Sequence, residues 1–355
     1  METTSLPLSR AVHGEFAPET TYLNTSTCGL LPRRTVAAVR SLAERVAAGR
    51  SAGSGDFARV EAARSGFARL VGTDAGRVAV GSSVSVHVGL IAAALPPGAE
   101  VLAPEGEFSS VVSPFAVRGD LRPRYVPLDG LADAVRSDTA LVALSAVQSS
   151  DGRIADLKAV RAAAAAHGAR TLLDISQAAG WLPLDAGEYD FTVAGGFKFL
   201  LCPRGASFLT VTEDAQRTLP PVFAGWAAAE DPGNSTYGPV ERLSPSARRY
   251  DEPPAFLSYH GAEQSLALLG EVGVEAVHAH ATGLAARMRA GLTELGHEAV
   301  PGESAIVAVP GLGAREAELA RAGVVVSNRA GSLRAAFHLY NTRADVDRAL
   351  DVLSG

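Results

Sequence analysis

Lysine is rare in this chain, and that rarity singles out one residue that could do chemistry. Of 32 basic residues only Lys158 and Lys198 are lysines, so arginine supplies nearly all the positive charge. Lys158 lies in Asp156-Leu157-Lys158-Ala159-Val160-Arg161, on the polar face of an expected helix, where arginine would serve equally well. Lys198 lies between Phe197 and Phe199, in an apolar segment that follows Gly195 and Gly196. A desolvated lysine can deprotonate to a nucleophilic amine, and arginine cannot. The competing possibility is a lysine that lays its stem on apolar surface at a strand end and keeps its ammonium in water.

The elements around Lys198 decide what it could work with. Thr171-Leu172-Leu173-Asp174 is an apolar run ending in an acid, the pattern of a buried parallel strand with a carboxylate at its C-terminal edge. Open α/β sheets bind ligands at that edge. A second strand, Phe191 to Ala194, delivers Lys198 one short turn later. An acid and a lysine on neighbouring strand ends, reached through glycines, suit a pyridoxal phosphate site. The lysine would form the Schiff base. The acid would hold the pyridinium nitrogen protonated, so that the ring accepts electrons when a bond at the substrate's Cα breaks.

The motif Asp174-x-x-Gln177, with Asp185, Asp190, Lys198 and Pro203-Arg204-Gly205 beyond it, resembles the class V aminotransferase superfamily of pyridoxal phosphate enzymes. That superfamily includes cysteine desulfurases, kynureninases, isopenicillin-N epimerase-like proteins and hercynylcysteine sulfoxide lyases. The similarity runs from about Tyr22 to the C-terminus. It implies an α/β protein of fold type I: a mostly parallel seven-stranded sheet in a large domain (residues 21–240) and a smaller α+β C-terminal domain (241–355). An N-terminal segment, residues 1–20, is expected to pack on the small domain.

Composition agrees with a sizeable core and sets broad limits. The chain has 355 residues, 47% hydrophobic, which suggests two unequal domains. Its net charge of −6 gives no hint of nucleic-acid or membrane binding. No apolar run reaches membrane-spanning length, and Met1-Glu2-Thr3-Thr4-Ser5 lacks the basic-then-apolar pattern of a secretory signal, so a cytoplasmic protein is expected. Cys28 and Cys202 are too few for a disulfide framework or a zinc site, and no metal is expected.

Along the chain, Thr21 to Pro32 resembles the family's entry motif, a short strand and polar turn approaching the substrate. The resemblance puts Asn24 and Cys28 near substrate, although a small buried turn residue is the favoured reading of Cys28. A helix from about Pro32 to Ala48 and another from Phe57 to Leu70 follow. Arg77 to Ser83 reads as a strand entering a turn, and Val84 to Leu95 as the helix it opens. Free backbone N–H groups and two hydroxyls at a helix N-terminus make an anion site, so Ser83, with Ser82 next, is expected to hold the cofactor phosphate. A plain helix cap is the alternative. After the strand Glu100 to Ala103, Phe108 falls where the family stacks a ring on the pyridine face. Strand Ala140 to Ser145 and helix Ile154 to His167 complete a βαβ alternation, which indicates a mostly parallel sheet.

The sequence also departs from the family pattern. Asparagine is common where Ala146 stands, so Gln177, with Gln148 as a second candidate, is left to meet the phenolic oxygen. Relatives often read Ser-x-His-Lys, whereas Gly195 and Phe197 occupy the Ser and His positions here. Pro253 stands roughly where a threonine reaches the neighbouring subunit's phosphate. The irregular stretch from Pro220 to Pro254 is expected at the active site or a subunit contact, with Trp226 as a candidate wall of the substrate pocket or, equally, an interface aromatic. Arg334 precedes Phe337-His338-Leu339-Tyr340-Asn341-Thr342, which resembles the family's closing signature, where an arginine grips the substrate α-carboxylate. The preceding loop, Ser327 to Leu333, has no cysteine, which argues against persulfide transfer there.

These readings imply a homodimer with shared active sites, acting on an amino acid through an external aldimine and Cα deprotonation by Lys198. Within that chemistry β-eliminating carbon–sulfur lysis is favoured, with transamination and epimerisation left open. A pyridoxal phosphate-fold protein without catalysis, serving as a binding partner, is the alternative of another class.

Overall fold

The computed structural model describes residues 12–50 and 57–355. The N-terminal residues of the expected 1–20 segment, up to residue 11, lie outside them. A short strand β1 (Thr21–Tyr22) precedes seven strands that form the main sheet: β2 (Val78–Gly81), β3 (Glu100–Pro104), β4 (Arg122–Val126), β5 (Thr139–Ser145), β6 (Arg170–Asp174), β7 (Phe191–Gly195) and β8 (Ser207–Val211). Their order is β2-β8-β7-β6-β5-β3-β4. The pairs β7·β6, β6·β5, β5·β3 and β3·β4 are parallel, and β8 runs antiparallel to both its neighbours. The sheet is therefore mostly parallel, as its alternating pattern indicated, with one reversed strand that the pattern did not reveal.

Both faces of this sheet are covered, which is why its central strands are buried almost throughout rather than alternating buried with exposed. Successive residues of β6 enter different cores: Leu172 belongs to the one that holds Val88, Ile91 and Phe115, and Leu173 to the one that holds Phe67, Val160 and Leu266. That is the period of two expected of a strand. The helices Val84–Ala94 and Ser109–Ala116 supply the first core, and Phe57–Leu70, Leu157–His167 and Phe256–Val272 supply the second. The crossover helix Leu157–His167 starts on the Asp156 side chain, which accepts from Ala159 N–H, and stops at Gly168 in the left-handed region (φ 70°). Strand β4, Arg-Pro-Arg-Tyr-Val, escaped the sequence reading because it is polar. It sits at the sheet edge, where Pro123 needs no second partner.

A second, three-stranded sheet has the order β11-β12-β9, from β9 (Ile306–Val309), β11 (Ser327–Arg329) and β12 (Ser332–Ala336), all antiparallel. The short β10 (Val324–Val325) pairs in parallel with β1. Leu23 then joins both sets, its N–H donating to Val325 O (2.8 Å) and its carbonyl accepting from Ala336 N–H (2.8 Å). The chain after Tyr22 is thereby held between β10 and β12. The stretch from 220 to 254 carries only short 3₁₀ turns. Its end is fixed by Asp251, which pairs with the buried Arg64 (2.6 Å) and accepts from Val80 N–H on β2 (2.9 Å). No helix among the described residues is long and apolar enough to cross a membrane.

Candidate active site

Lys198 follows β7 by three residues, in a turn tied down by Gly196 N–H to Ala206 O, Cys202 N–H to Gly196 O and Gly29 N–H to Phe197 O, each 2.9 Å. The last bond brings the entry segment against the lysine loop. At Gly29 a Cβ would lie 2.1 Å from the Lys198 carbonyl oxygen, so only glycine permits that approach. The lysine is 7% exposed, with Nζ 4.9 Å from the centroid of the Phe108 ring and 5.8 Å from that of Phe197. Burial pulls its pKa below the ordinary lysine value; Asp174 opposes the shift, and Arg334, Arg204 and Arg329 add to it. The result is an amine more easily freed of its proton than a surface lysine.

Asp174 ends β6, one strand over, and is buried; its Oδ1 accepts from Ser176 N–H at 2.7 Å. Burial raises its pKa and the Lys198 charge works against that rise. Ser176 also braces the turn, its Oγ accepting from Gly195 N–H at 2.8 Å. A second buried carboxylate stands close by. Glu107 accepts from Phe108 N–H (2.7 Å), Ser145 N–H (2.8 Å), Ser145 Oγ (2.6 Å) and Gln148 Nε2 (3.0 Å). It fixes the backbone of Phe108, and its charge adds to the rise at Asp174. The sequence reading passed over Glu107, although an acid immediately before the stacking candidate was a signal.

The remaining predicted residues fall into two groups. Phe108, 41% exposed, has its ring beneath the Lys198 amine. Gln177 is buried, and its Nε2 donates to Ser26 O (2.9 Å) and Ser149 Oγ (3.1 Å), so what it leaves free is the acceptor Oε1 rather than a donor. Gln148, the second candidate for the phenolic oxygen, spends its amide on Glu107. Arg334 is 1% exposed; its Nη1 donates to Ser149 O, Nη2 to Thr27 Oγ1 (2.9 Å) and Nε to Ser327 Oγ (3.2 Å). Burial and the neighbouring Arg329 lower its pKa to about 10. Cys28 sits in the entry turn, its carbonyl accepting from Tyr22 OH at 2.7 Å. Trp226 stands apart: its ring packs edge-on against Phe57, with centroids 5.8 Å apart, rather than on the Lys198 cluster.

The turn expected to hold the phosphate differs from the expectation of free N–H groups. Ser82 N–H at the start of the helix Val84–Ala94 already donates to a carboxylate oxygen of Glu252 at 2.5 Å. Ser83 makes no side-chain cap, and its hydroxyl pairs with that of Ser85 (3.2 Å). A carboxylate drawn to this place marks it as an anion seat. Sequence reasoning had no access to Glu252, which lies 170 residues away.

The donor set fits a pyridoxal ring. A buried amine over a phenyl ring is close enough to a buried acid for each charge to act on the other, and three buried oxygens, Gln177 Oε1, Asn24 Oδ1 and Ser26 Oγ, have no hydrogen-bond partner. Buried polar atoms left unpaired are rare and point to a missing partner. The family model described as Aminotransferase class-V matches residues 22–310. The chain belongs to that family. Its cofactor is pyridoxal 5′-phosphate. Among curated relatives, an uncharacterized aminotransferase, YcbU, of Bacillus subtilis is 27% identical over 83% of each chain. A kynureninase of Deinococcus radiodurans is 30% identical, covering 72% of this chain and 67% of its own. A solved structure of the cystine C–S lyase C-DES, with its product cysteine persulfide, superposes with a TM-score of 0.85 at 21% identity, over 95% of this chain and 97% of that one. The relatives share the fold while their names span different reactions, so the reaction must be argued from the side chains.

Proposed function

We propose that this class V enzyme is a carbon–sulfur lyase that removes a β-substituent from an amino acid. The observation behind the Cα deprotonation that lysis and transamination share is a single buried amine, Lys198, whose neighbouring ring, Phe108, can neither give nor take a proton; lysis is the branch that the test below decides. Pyridoxal phosphate supplies the electron sink that makes a substrate Cα proton acidic. Lys198, with its pKa lowered, is the base that takes that proton and can pass it to the departing sulfur on the same face. Asp174 places a negative charge in the slot and is held there by Ser176 N–H. Phe108 offers an apolar surface that excludes water, and Glu107 fixes its backbone. Arg334, whose other N–H groups are held by Ser149, Thr27 and Ser327, offers its charge and its remaining Nη2 N–H to the α-carboxylate. Ser82 and Ser83 hold the phosphate end, and Asn24, Gln177 and Cys28 line the approach. Trp226 enters this reading only as part of a subunit contact: the 220–254 stretch exposes Val222, Phe223 and Tyr237, the last 94% exposed, which supports a homodimer that shares its sites.

The test is a visible absorbance spectrum of the purified protein and of Lys198→Ala, followed by cysteine conjugates with pyruvate assayed. A visible band in the wild type that the variant lacks, with pyruvate and a thiol released from a conjugate, is expected. Conversion of the bound cofactor to its pyridoxamine form without pyruvate would replace lysis by transamination. A protein that stays colourless with added pyridoxal phosphate would leave a binding protein without catalysis.

A further inference from the structure

We propose that the site selects an amino acid bearing a second carboxylate, held by Arg329 beside the Arg334 that takes the α-carboxylate. The proposal rests on the reading above that the substrate is an amino acid bound at Arg334. It begins with strand register. In the β11·β12 hairpin Ser327 pairs with Arg334 and Arg329 with Ser332. Paired residues share a face and alternate residues return to it, so Arg329 and Arg334 are diagonal neighbours on one face of the hairpin. Both reach the same atom: Arg334 Nη2 lies 2.9 Å and Arg329 Nη2 3.1 Å from Thr27 Oγ1.

Two guanidinium groups on one neutral hydroxyl repel each other, and that arrangement is unfavourable without an anion between or beside them. Among the described residues no carboxylate lies within ion-pair distance of either, whereas Arg34, Arg64, Arg124 and Arg170 each have one. Arg204, over the Phe197 ring at 4.0 Å, is a third cation of the site without an acid partner among the described residues, and all three arginines act on Lys198. One α-carboxylate balances Arg334 and leaves the positive charge of Arg329 unmatched. The hairpin tip that carries Arg329 is also held in place. Asn328 Oδ1 accepts from Gly331 N–H (3.1 Å), Gly331 O accepts from Gly313 N–H (2.9 Å), and Ala330 is kept at a positive φ of 49°. Arg329 itself gives a further donor only to the Asn328 carbonyl (3.2 Å). Arg334 is buried and Arg329 exposed, so the second anionic group would lie on the solvent side of the first.

The test uses the pyridoxal phosphate-loaded protein and pairs of amino acids that differ by one charge at nearly equal shape. These are L-aspartate against L-asparagine, L-glutamate against L-glutamine, and S-carboxymethyl-L-cysteine against its S-carbamoylmethyl counterpart. Binding is read by titration of the visible spectrum and by calorimetry, so neither turnover nor pyruvate is required. The dicarboxylate of at least one pair should bind roughly tenfold more tightly, the scale of one hydrogen-bonded charge. In Arg329→Gln that ratio should fall to within about twofold, and Arg329→Lys should retain part of it, because charge survives while the planar fork is lost. No preference in the wild type, or no response to any dicarboxylate, overturns the proposal. So does an Arg329→Gln variant that weakens both members of a pair alike, because Arg329 would then serve the α-carboxylate or the hairpin only. Binding selectivity without pyruvate from any conjugate would sink the lyase reading and leave this one standing.

Discussion

Replacing Glu252 with alanine should tighten the binding of pyridoxal phosphate. In this structure a Glu252 oxygen lies 2.5 Å from Ser82 N–H, at the head of the helix whose free end is expected to hold the phosphate. An incoming phosphate must displace that carboxylate or lie beside a like charge. A hydrogen bond to a charged group contributes about 1.5–3 kcal/mol, and the exposure of Ser82 favours the lower end of that range. Removing about 1.5 kcal/mol of competition corresponds to roughly a tenfold lower Kd. The assay is a titration of apoprotein with pyridoxal phosphate, followed by visible absorbance, for wild type and Glu252→Ala. Pyridoxal, which lacks the phosphate, serves as the internal control and should gain little. Weaker binding of pyridoxal phosphate in the variant, or an equal gain for both compounds, would show that Glu252 does not compete at the phosphate seat.

Two further outcomes follow from buried charges. Asp251→Asn keeps the shape of the side chain but leaves the buried Arg64 guanidinium without its main counter-charge, which should destabilise the protein by about 3–5 kcal/mol in urea unfolding; a loss below about 1 kcal/mol would mean that Glu61 alone suffices for Arg64. Lys198→Met in the apoprotein tests the lowered lysine pKa. Because the folded-state value lies below the unfolded one, the penalty for burying the ammonium is fully present below the folded pKa and is relieved as pH rises to the ordinary lysine value. Wild type should therefore gain stability relative to Lys198→Met as pH rises through that window, and a difference that stays flat or moves the other way would refute the shift.

Much of the site was legible because its signals are local. Lys198 stood out in a chain that uses arginine almost everywhere else, and the apolar runs before Asp174 and Gly195 marked two buried strands whose ends lie together. The stop at Gly168 bounded the crossover helix between β5 and β6, whereas its start, read at Ile154, falls three residues later, after the Asp156 cap. Strand direction was not legible: Ser207–Val211 has the same apolar pattern whichever way it runs, and only its neighbours make β8 antiparallel. The short helix Ser109–Ala116 was hidden by Pro114 and three serines. Glu107 looked like one more loop acid after Glu105 and Gly106. Four donors from two different strand ends turn it into a buried support.

The sequence alone determined most of the elements and the cofactor chemistry and singled out Lys198 as the candidate to carry it, because side-chain period, caps and residue type act over a few positions. The tertiary structure decided which polar groups are already spent. Ser82 and Glu252 are 170 residues apart, and Thr27 and Arg329 are 302 apart. Such pairs meet only because the entry segment, the hairpin and the end of the 220–254 stretch are laid over the same sheet edge. No local pattern specifies that meeting, since hydrogen bonding and charge depend on distance in space rather than along the chain.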